Sequence, residues 1–155
     1  MHAMTRVGFI GLGAMGASMA GHLHGKNLLA VVGNRSFAKA EAMAAQLGVR
    51  VARTDADFAE CDAVVLCVSM DADVMQCVRG LATVLRRGSV IIDHSTVARS
   101  TAVEAACVLE EYGIGFLDAP VSGGVEGARN GKLSVMVGGH AELLDRVQGL
   151  LSAYA

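Results

Sequence analysis

Apolar positions along this chain alternate between two spacings. Val7, Phe9 and Ile10 form a short apolar run, and Met15, Met19 and Leu23 then recur every fourth residue. The first pattern predicts a buried strand and the second a helix. The alternation repeats to the end of the sequence. A strand is expected over residues 28–32, a helix over Phe37–Leu47 with Ser36 as its N-cap and Gly48 after its end, and a short strand over 49–52. Thr54 opens a short helix, with Asp57 standing where a capping box carries Glu. The run AVVLCV at 63–68 predicts a strand covered on both faces. Asp71 is expected to cap the next helix, whose apolar face is Val74, Val78, Leu81 and Leu85 and which Gly88 ends. Val90–Asp93 is a fifth strand, followed by a helix through Val103, Ala106 and Cys107 to Tyr112. Residues 114–119 make a sixth strand, stopped by Pro120; 122–132 read as a loop with four glycines and 133–137 as a seventh strand. The last helix, 141–153, has its face at Leu143, Leu144, Val147, Leu150 and Leu151. Residues 1–5 are expected to be a frayed lead-in, with Met4 an alternative start.

Strands alternating with helices, without repeats or linkers, give an α/β class. The expected architecture is a Rossmann-type, doubly wound, mostly parallel sheet with helices on both faces and right-handed crossovers. Residues 1–155 form one dinucleotide-binding domain in this reading.

The first strand and helix flank Gly11-Leu12-Gly13-Ala14-Met15-Gly16, a G-x-G-x-x-G in the strand–turn–helix context that a dinucleotide fingerprint requires. Gly11 suits the tight turn, Gly13 leaves backbone bare for a pyrophosphate, and Gly16 lets helix and strand approach. The helix N-terminus offers unpaired N–H groups to the phosphates. With 19 glycines in the chain, a glycine-rich packing turn is the bland alternative.

Ligands of such sheets bind where the strands end at their carboxyl side. At the end of the second strand an NAD-binding domain carries an acid for the ribose 2′-OH, and this chain has Asn34-Arg35-Ser36. A guanidinium suits a 2′-phosphate, with Asn34 and Ser36 as neutral donors, so NADP is expected over NAD. The alternative is that Arg35 is a solvated charge. Ser95-Thr96 either offers hydroxyls near the nicotinamide or caps the following helix. Ser122, Gly123 and Gly124 either present a hydroxyl and bare N–H groups to a carboxylate or form an ordinary glycine loop. Asp93 and Asp118 end strands without the spacing of a catalytic pair, and His94, a lone histidine, reads as structural.

A net charge of −2 and 4% aromatic residues argue against nucleic acid as a partner. No apolar run reaches the length of a membrane span. Arg6 before an apolar stretch has a superficial likeness to a signal peptide, but the glycine spacing accounts for that stretch. Cys61, Cys67, Cys77 and Cys107 show no C-x-x-C pairing and read as reduced core residues of a cytoplasmic protein. Five scattered histidines give no metal-ligand spacing.

The segments GFIGLGAMGASMAGHL, DHST and DAPVSGGVEGARNGKLSVMVGG together resemble the N-terminal domain of the 3-hydroxyisobutyrate dehydrogenases, also called β-hydroxyacid dehydrogenases, relatives of 6-phosphogluconate dehydrogenase. The resemblance implies that Gly11, Leu12, Gly13, Ala14, Met15 and Gly16 hold the pyrophosphate. It implies that Val68, Ser69 and Met70 follow the adenosine half, that Thr96 meets the nicotinamide ribose, and that Ser122, Gly123 and Gly124 hold a substrate carboxylate. Asn34, Arg35 and Ser36 resemble the NADP-preferring branch, which includes glyoxylate and succinic semialdehyde reductases. The reaction implied is hydride transfer between nicotinamide and a small 3-hydroxy acid or semialdehyde.

Two departures stand out: Arg99 replaces a Pro frequent in the family, and the family's catalytic Lys belongs to an all-helical domain beyond Ala155. Lys132 does not match it, so no catalytic residue is assigned and this chain alone is expected to bind cofactor without efficient turnover. Surface bared along Leu143, Leu150 or the helix of Val103 would then favour self-association, as in a homo-oligomer, or poor solubility. The alternative function is a non-catalytic NADP-binding or interaction module. A Rossmann methyltransferase fits neither Arg35 nor the DAPVSGG segment.

Overall fold

The computed structural model describes residues 4–155. Six strands form one parallel sheet: β1 (Val7–Ile10), β2 (Leu29–Gly33), β3 (Arg50–Val51), β4 (Ala63–Leu66), β5 (Val90–Asp93) and β6 (Gly115–Asp118). Their order is β3-β2-β1-β4-β5-β6. The chain thus starts in the middle of the sheet, builds one half, then returns beside β1 to build the other. The direction of winding reverses between β1 and β4, the place where such sheets open a crevice above their carboxyl ends.

The helices are α1 (Ala14–Gly25), α2 (Phe37–Leu47), α3 (Asp71–Ala82), α4 (Arg99–Glu110), α5 (Gly124–Arg129) and α6 (Ala141–Leu151). Alternating strand residues feed two cores, one on each face of the sheet. Phe9, Val65 and Ile92 join Met19 and Leu23 of α1, Ala40 and Ala44 of α2, and Val147 and Leu150 of α6. Val64, Leu66 and Ile91 join Phe58, Val74 and Val78 of α3, and Ala105 and Leu109 of α4. Burial of each large aliphatic side chain contributes about 1.5–3 kcal/mol, so the two cores account for why the apolar faces read from the sequence became the buried ones.

Several expectations need correction. Met4 is buried, and the Thr5 and Arg6 N–H groups each donate to the Asp62 carboxylate at 3.0 Å, so the lead-in is docked from Met4 onward. Residues 1–3 lie outside the described residues. The residue before α3 is Met70, not Asp71. Asp71 instead accepts from the Ala98 N–H at 2.9 Å and the Thr101 hydroxyl at 2.6 Å, fastening the first turn of α4. These bonds, the Thr101 hydroxyl foremost, hold the Asp71 carboxyl below its ordinary range. In the segment Thr54–Phe58 the Asp57 half of the capping box forms, taking the Arg53 and Thr54 N–H groups at 2.7 and 3.1 Å.

The expected loop at 122–132 is structured: β7 (Val121–Ser122) pairs antiparallel with β8 (Ser134–Val135), and α5 lies between them. His22 of α1 faces the carbonyls of Ala128 and Arg129 at 2.9 and 3.0 Å, which ties that helix end to α1. Helix α4 buries Ala105 and Leu109, which leaves Val103 and Cys107 on its outer side; Cys107 is therefore not a core residue. Leu150 is likewise buried and bares no surface. Among the described residues no helix is long and apolar enough to cross a membrane.

Candidate functional site

A cleft of about 760 Å³ opens at the carboxyl ends of β1, β2 and β4. Its floor is the turn after β1. There Gly11 has φ +105, and a Cβ on it would stand 2.0 Å from the Cys67 carbonyl oxygen. A Cβ on Gly16 would stand 1.9 Å from the Gly11 carbonyl oxygen. Both glycines are therefore demanded by packing within the protein. Gly13 differs. Its φ of −66° suits any residue, and a Cβ there would meet nothing within 4 Å. Gly13 is exposed and lines the cleft, so a side chain on it would project into the open cleft.

The structure gathers Gly11, Gly13, Asn34, Arg35, Ser36, Val68 and Ser69 around this one cleft. Leu12 and Gly16 are buried beneath the turn, while Ala14 and Met15 begin α1. Met70 and Thr96 are exposed and lie outside the cleft lining. Asn34 has a task the sequence did not suggest. Its Oδ1 accepts the Leu12 N–H at 2.9 Å and its Nδ2 donates to the Ser36 carbonyl at 3.2 Å. The amide thus braces the glycine turn against the end of β2, with one of its two N–H donors committed within the protein.

The far end of the cleft is charged. Arg35 is joined there by Lys39, one helical turn on in α2, and by Arg53, just beyond β3. Sequence reasoning missed both. The i, i+4 spacing of Lys39 and the position of Arg53 past a parallel strand would have found them. Asp55 and Asp73 also line the cleft, and Arg35 is ion-paired with Asp73 of α3. Arg53 lies 5.0 Å over the Phe37 ring and 3.9 Å from Glu41. Cys67 and Cys77 line the wall, but burial pushes each thiol up to about 11, so neither is a nucleophile at neutral pH.

Beside the cleft lies a buried polar group of the β5 end. Asp93 is fully buried, its Oδ1 accepts the Ser95 N–H at 2.9 Å, and among the described residues its Oδ2 has no partner. Burial pushes its pKa up to about 6. The Ser95 hydroxyl accepts the Val68 N–H at 2.9 Å, fixing the loop after β4 and leaving no cap for α4. His94 meets the Ala119 carbonyl at 2.6 Å and the Tyr154 hydroxyl at 2.7 Å, and burial lowers its pKa to about 4. It is a structural histidine, neutral at physiological pH.

Ser122, Gly123 and Gly124 lie outside the cleft lining, past the end of β6. All three are exposed, and Gly123 and Gly124 have φ of +131 and +63. A Cβ on Gly124 would meet nothing within 4 Å.

The model of the NAD-binding domain of 6-phosphogluconate dehydrogenase matches residues 6–155. An uncharacterized oxidoreductase of Shewanella frigidimarina is 43% identical over 98% of this chain and 54% of its own length. The solved structure of Mycobacterium tuberculosis 3-hydroxyisobutyrate dehydrogenase with L-serine superposes with a TM-score of 0.92 at 35% identity, over 98% of this chain and 52% of that one. That of Psf3 in complex with NADP+ and 2-OPP superposes at 0.88 with 32% identity, over 96% of this chain and 54% of that one. The chain thus spans about half the length of the relatives it matches. By fold, motif and extent of match, this chain belongs to the family of the NAD-binding domain of 6-phosphogluconate dehydrogenase, among 3-hydroxyisobutyrate dehydrogenase relatives.

Proposed function

We propose that residues 1–155 act as one NADP-binding domain. It would serve a dehydrogenase that moves a hydride between nicotinamide and a small 3-hydroxy acid or semialdehyde. The observation that carries the cofactor reading is Gly13: the only space its missing side chain protects is the mouth of the cleft. The α1 N-terminus, with Gly13 as its cap residue and no acid in its first turn, suits a pyrophosphate there. Preference for NADP is supported by Arg35, Lys39 and Arg53 at the end where the adenosine ribose would lie. The relative that holds NADP+ in its solved structure adds to that support.

Bound nicotinamide supplies the hydride, and the protein supplies placement. In this reading Asn34 keeps the glycine turn in shape, Ser95 holds the Val68 backbone at the wall, and Thr96 meets the nicotinamide ribose. Ser122, Gly123 and Gly124 hold the substrate carboxylate through a hydroxyl and open backbone N–H groups. Lys132 follows α5 and lies outside the cleft lining, so it is not given the proton-transferring role. The relatives named as hydroxyacid dehydrogenases, including a 2-(hydroxymethyl)glutarate dehydrogenase of Eubacterium barkeri at 33% identity, support the substrate class. The four free thiols fit a reducing compartment such as the cytoplasm, and exposed Val103, Tyr112, Val125 and Met136 offer surface for self-association.

Calorimetric titration of this chain with NADPH and NADH tests the reading. NADPH should bind at least about tenfold more tightly, the worth of one charge-assisted contact. Equal affinities would remove the NADP assignment, and binding of neither would remove the cofactor assignment.

A further inference from the structure

Arg35 and Asp73 face each other across the charged end of the cleft. They come from opposite sides of the winding reversal, Arg35 from the end of β2 and Asp73 from the first turn of α3. Their exposure is unequal. The Arg35 side chain is 80% exposed, whereas that of Asp73 is 17% exposed. Asp73 is also anchored, because its second oxygen accepts the Met70 N–H at 3.2 Å at the start of α3. Among the described residues the Arg35 guanidinium has one acceptor, and that is Asp73. The carboxylate is therefore the fixed partner and the guanidinium the one that turns.

We propose that Asp73 determines how strongly the cleft distinguishes a 2′-phosphorylated cofactor, by competing with the phosphate for the Arg35 guanidinium. This rests on the cofactor reading above. A guanidinium has five N–H donors, but its side chain can be turned toward only one wall of the cleft at a time. In the free protein Nη2 donates to Asp73 Oδ1 and turns the group toward α3, so the state turned to receive a phosphate is only part of the population, and the apparent affinity falls by that fraction. The charge at the site agrees. Arg35, Lys39 and Arg53 face Asp55 and Asp73, so the cleft lining carries a net +1. Removing the Asp73 charge raises it to +2, which matches a phosphate dianion. NADH, with a hydroxyl in place of the phosphate, makes no demand on Arg35 and is indifferent to the competition.

The test is Asp73→Asn, whose amide oxygen still accepts the Met70 N–H and keeps the helix start. NADPH and the isolated probe 2′,5′-ADP should each bind about threefold to tenfold more tightly than to the unsubstituted chain, the range of an exposed ion pair plus relief of one adjacent negative charge. NADH and ADP should change by less than about twofold. In an Arg35→Ala background the same substitution should tighten NADPH clearly less than it does with Arg35 present, because the competitor has lost its object and only the relief of one negative charge remains. Asp73→Glu keeps the charge and should not tighten NADPH. It also serves as the control if Asp73→Asn proves too unstable to titrate: Asp73→Glu tightening NADPH would overturn the proposal. So would Asp73→Asn tightening both cofactors alike or neither, or an effect of the same size without Arg35. The NADPH-to-NADH ratio of the unsubstituted chain reports separately on the cofactor reading: a ratio near one defeats that reading, whereas tightening confined to NADPH in Asp73→Asn still supports the competition.

Discussion

Gly13→Ala separates binding from folding at the turn after β1. Three glycines share the motif, and only one of them is free of the protein's own atoms. Adding a methyl to Gly16 drives it to 1.9 Å from the Gly11 carbonyl, so helix α1 must move off β1. Adding one to Gly13 meets nothing within 4 Å, and φ −66, ψ −172 is an ordinary extended conformation for alanine. Two small effects on stability oppose each other. Restricting the unfolded chain favours the variant by about 0.4–1 kcal/mol, and alanine at an N-cap is worse than glycine by about the same. The net should be within about 1 kcal/mol, a shift of a few degrees in Tm for a chain of this size. Binding should respond far more. The methyl occupies the place from which a pyrophosphate would reach the turn's N–H groups. Loss of one charge-assisted bond of about 1.5–3 kcal/mol weakens NADPH about tenfold to a hundredfold. The assay pairs thermal unfolding with titration of nicotinamide fluorescence. Gly13→Ala binding NADPH as the unsubstituted chain does would refute the reasoning, as would a collapse in Tm like that expected of Gly16→Ala.

Other substitutions probe the remaining groups. Arg35→Ala should weaken NADPH about tenfold to a hundredfold and leave NADH nearly unchanged, by the same titration. Stability against pH should reveal two opposed titrations. His94 is lowered from 6.5 to about 4, so the unfolded chain binds the extra proton in that window and stability falls as pH falls. Asp93 is raised from 3.8 to about 6, so the folded chain holds the extra proton and stability falls as pH rises, and Asp118, also raised by burial, adds to this slope. Asp93→Asn removes the Asp93 slope, and chemical denaturation should then show stability rising by up to about 3 kcal/mol from pH 4 to 6.5, with a flat profile as the contrary result. In a full-length enzyme bearing these residues, Gly124→Ala should raise substrate KM with cofactor affinity intact; loss of cofactor instead would reassign that segment.

The strand–turn–helix of residues 7–23 was legible because packing and ligand geometry both constrain it. Phe37–Leu47 and Val90–Asp93 appeared with the bounds their periodicity gave. What escaped were contacts between segments distant in sequence. Nothing local distinguishes Asp71 as a cap of α3 from Asp71 as the acceptor for Ala98 and Thr101, 27 and 30 residues later. The glycines of 122–132 mask α5, whose stability comes from packing on α1 and from the contacts of His22 with its last carbonyls. The cation cluster was half visible. Arg35 follows a strand directly and Lys39 lies one helical turn on, while Arg53 joins them only once the sheet order places β3 beside β2.

In the proposed function a dinucleotide lies across the turn after β1 with its 2′-phosphate toward Arg35. Backbone amide spectra of isotopically labelled chain, recorded during titration with NADP+, test it most directly. The largest shifts are expected at Leu12, Gly13, Ala14 and Met15 and at Arg35 and Ser36, with the Arg35 and Ser36 shifts reduced when NAD+ replaces NADP+. Shifts centred away from these amides, or none at concentrations where other NADP-dependent enzymes saturate, would contradict it.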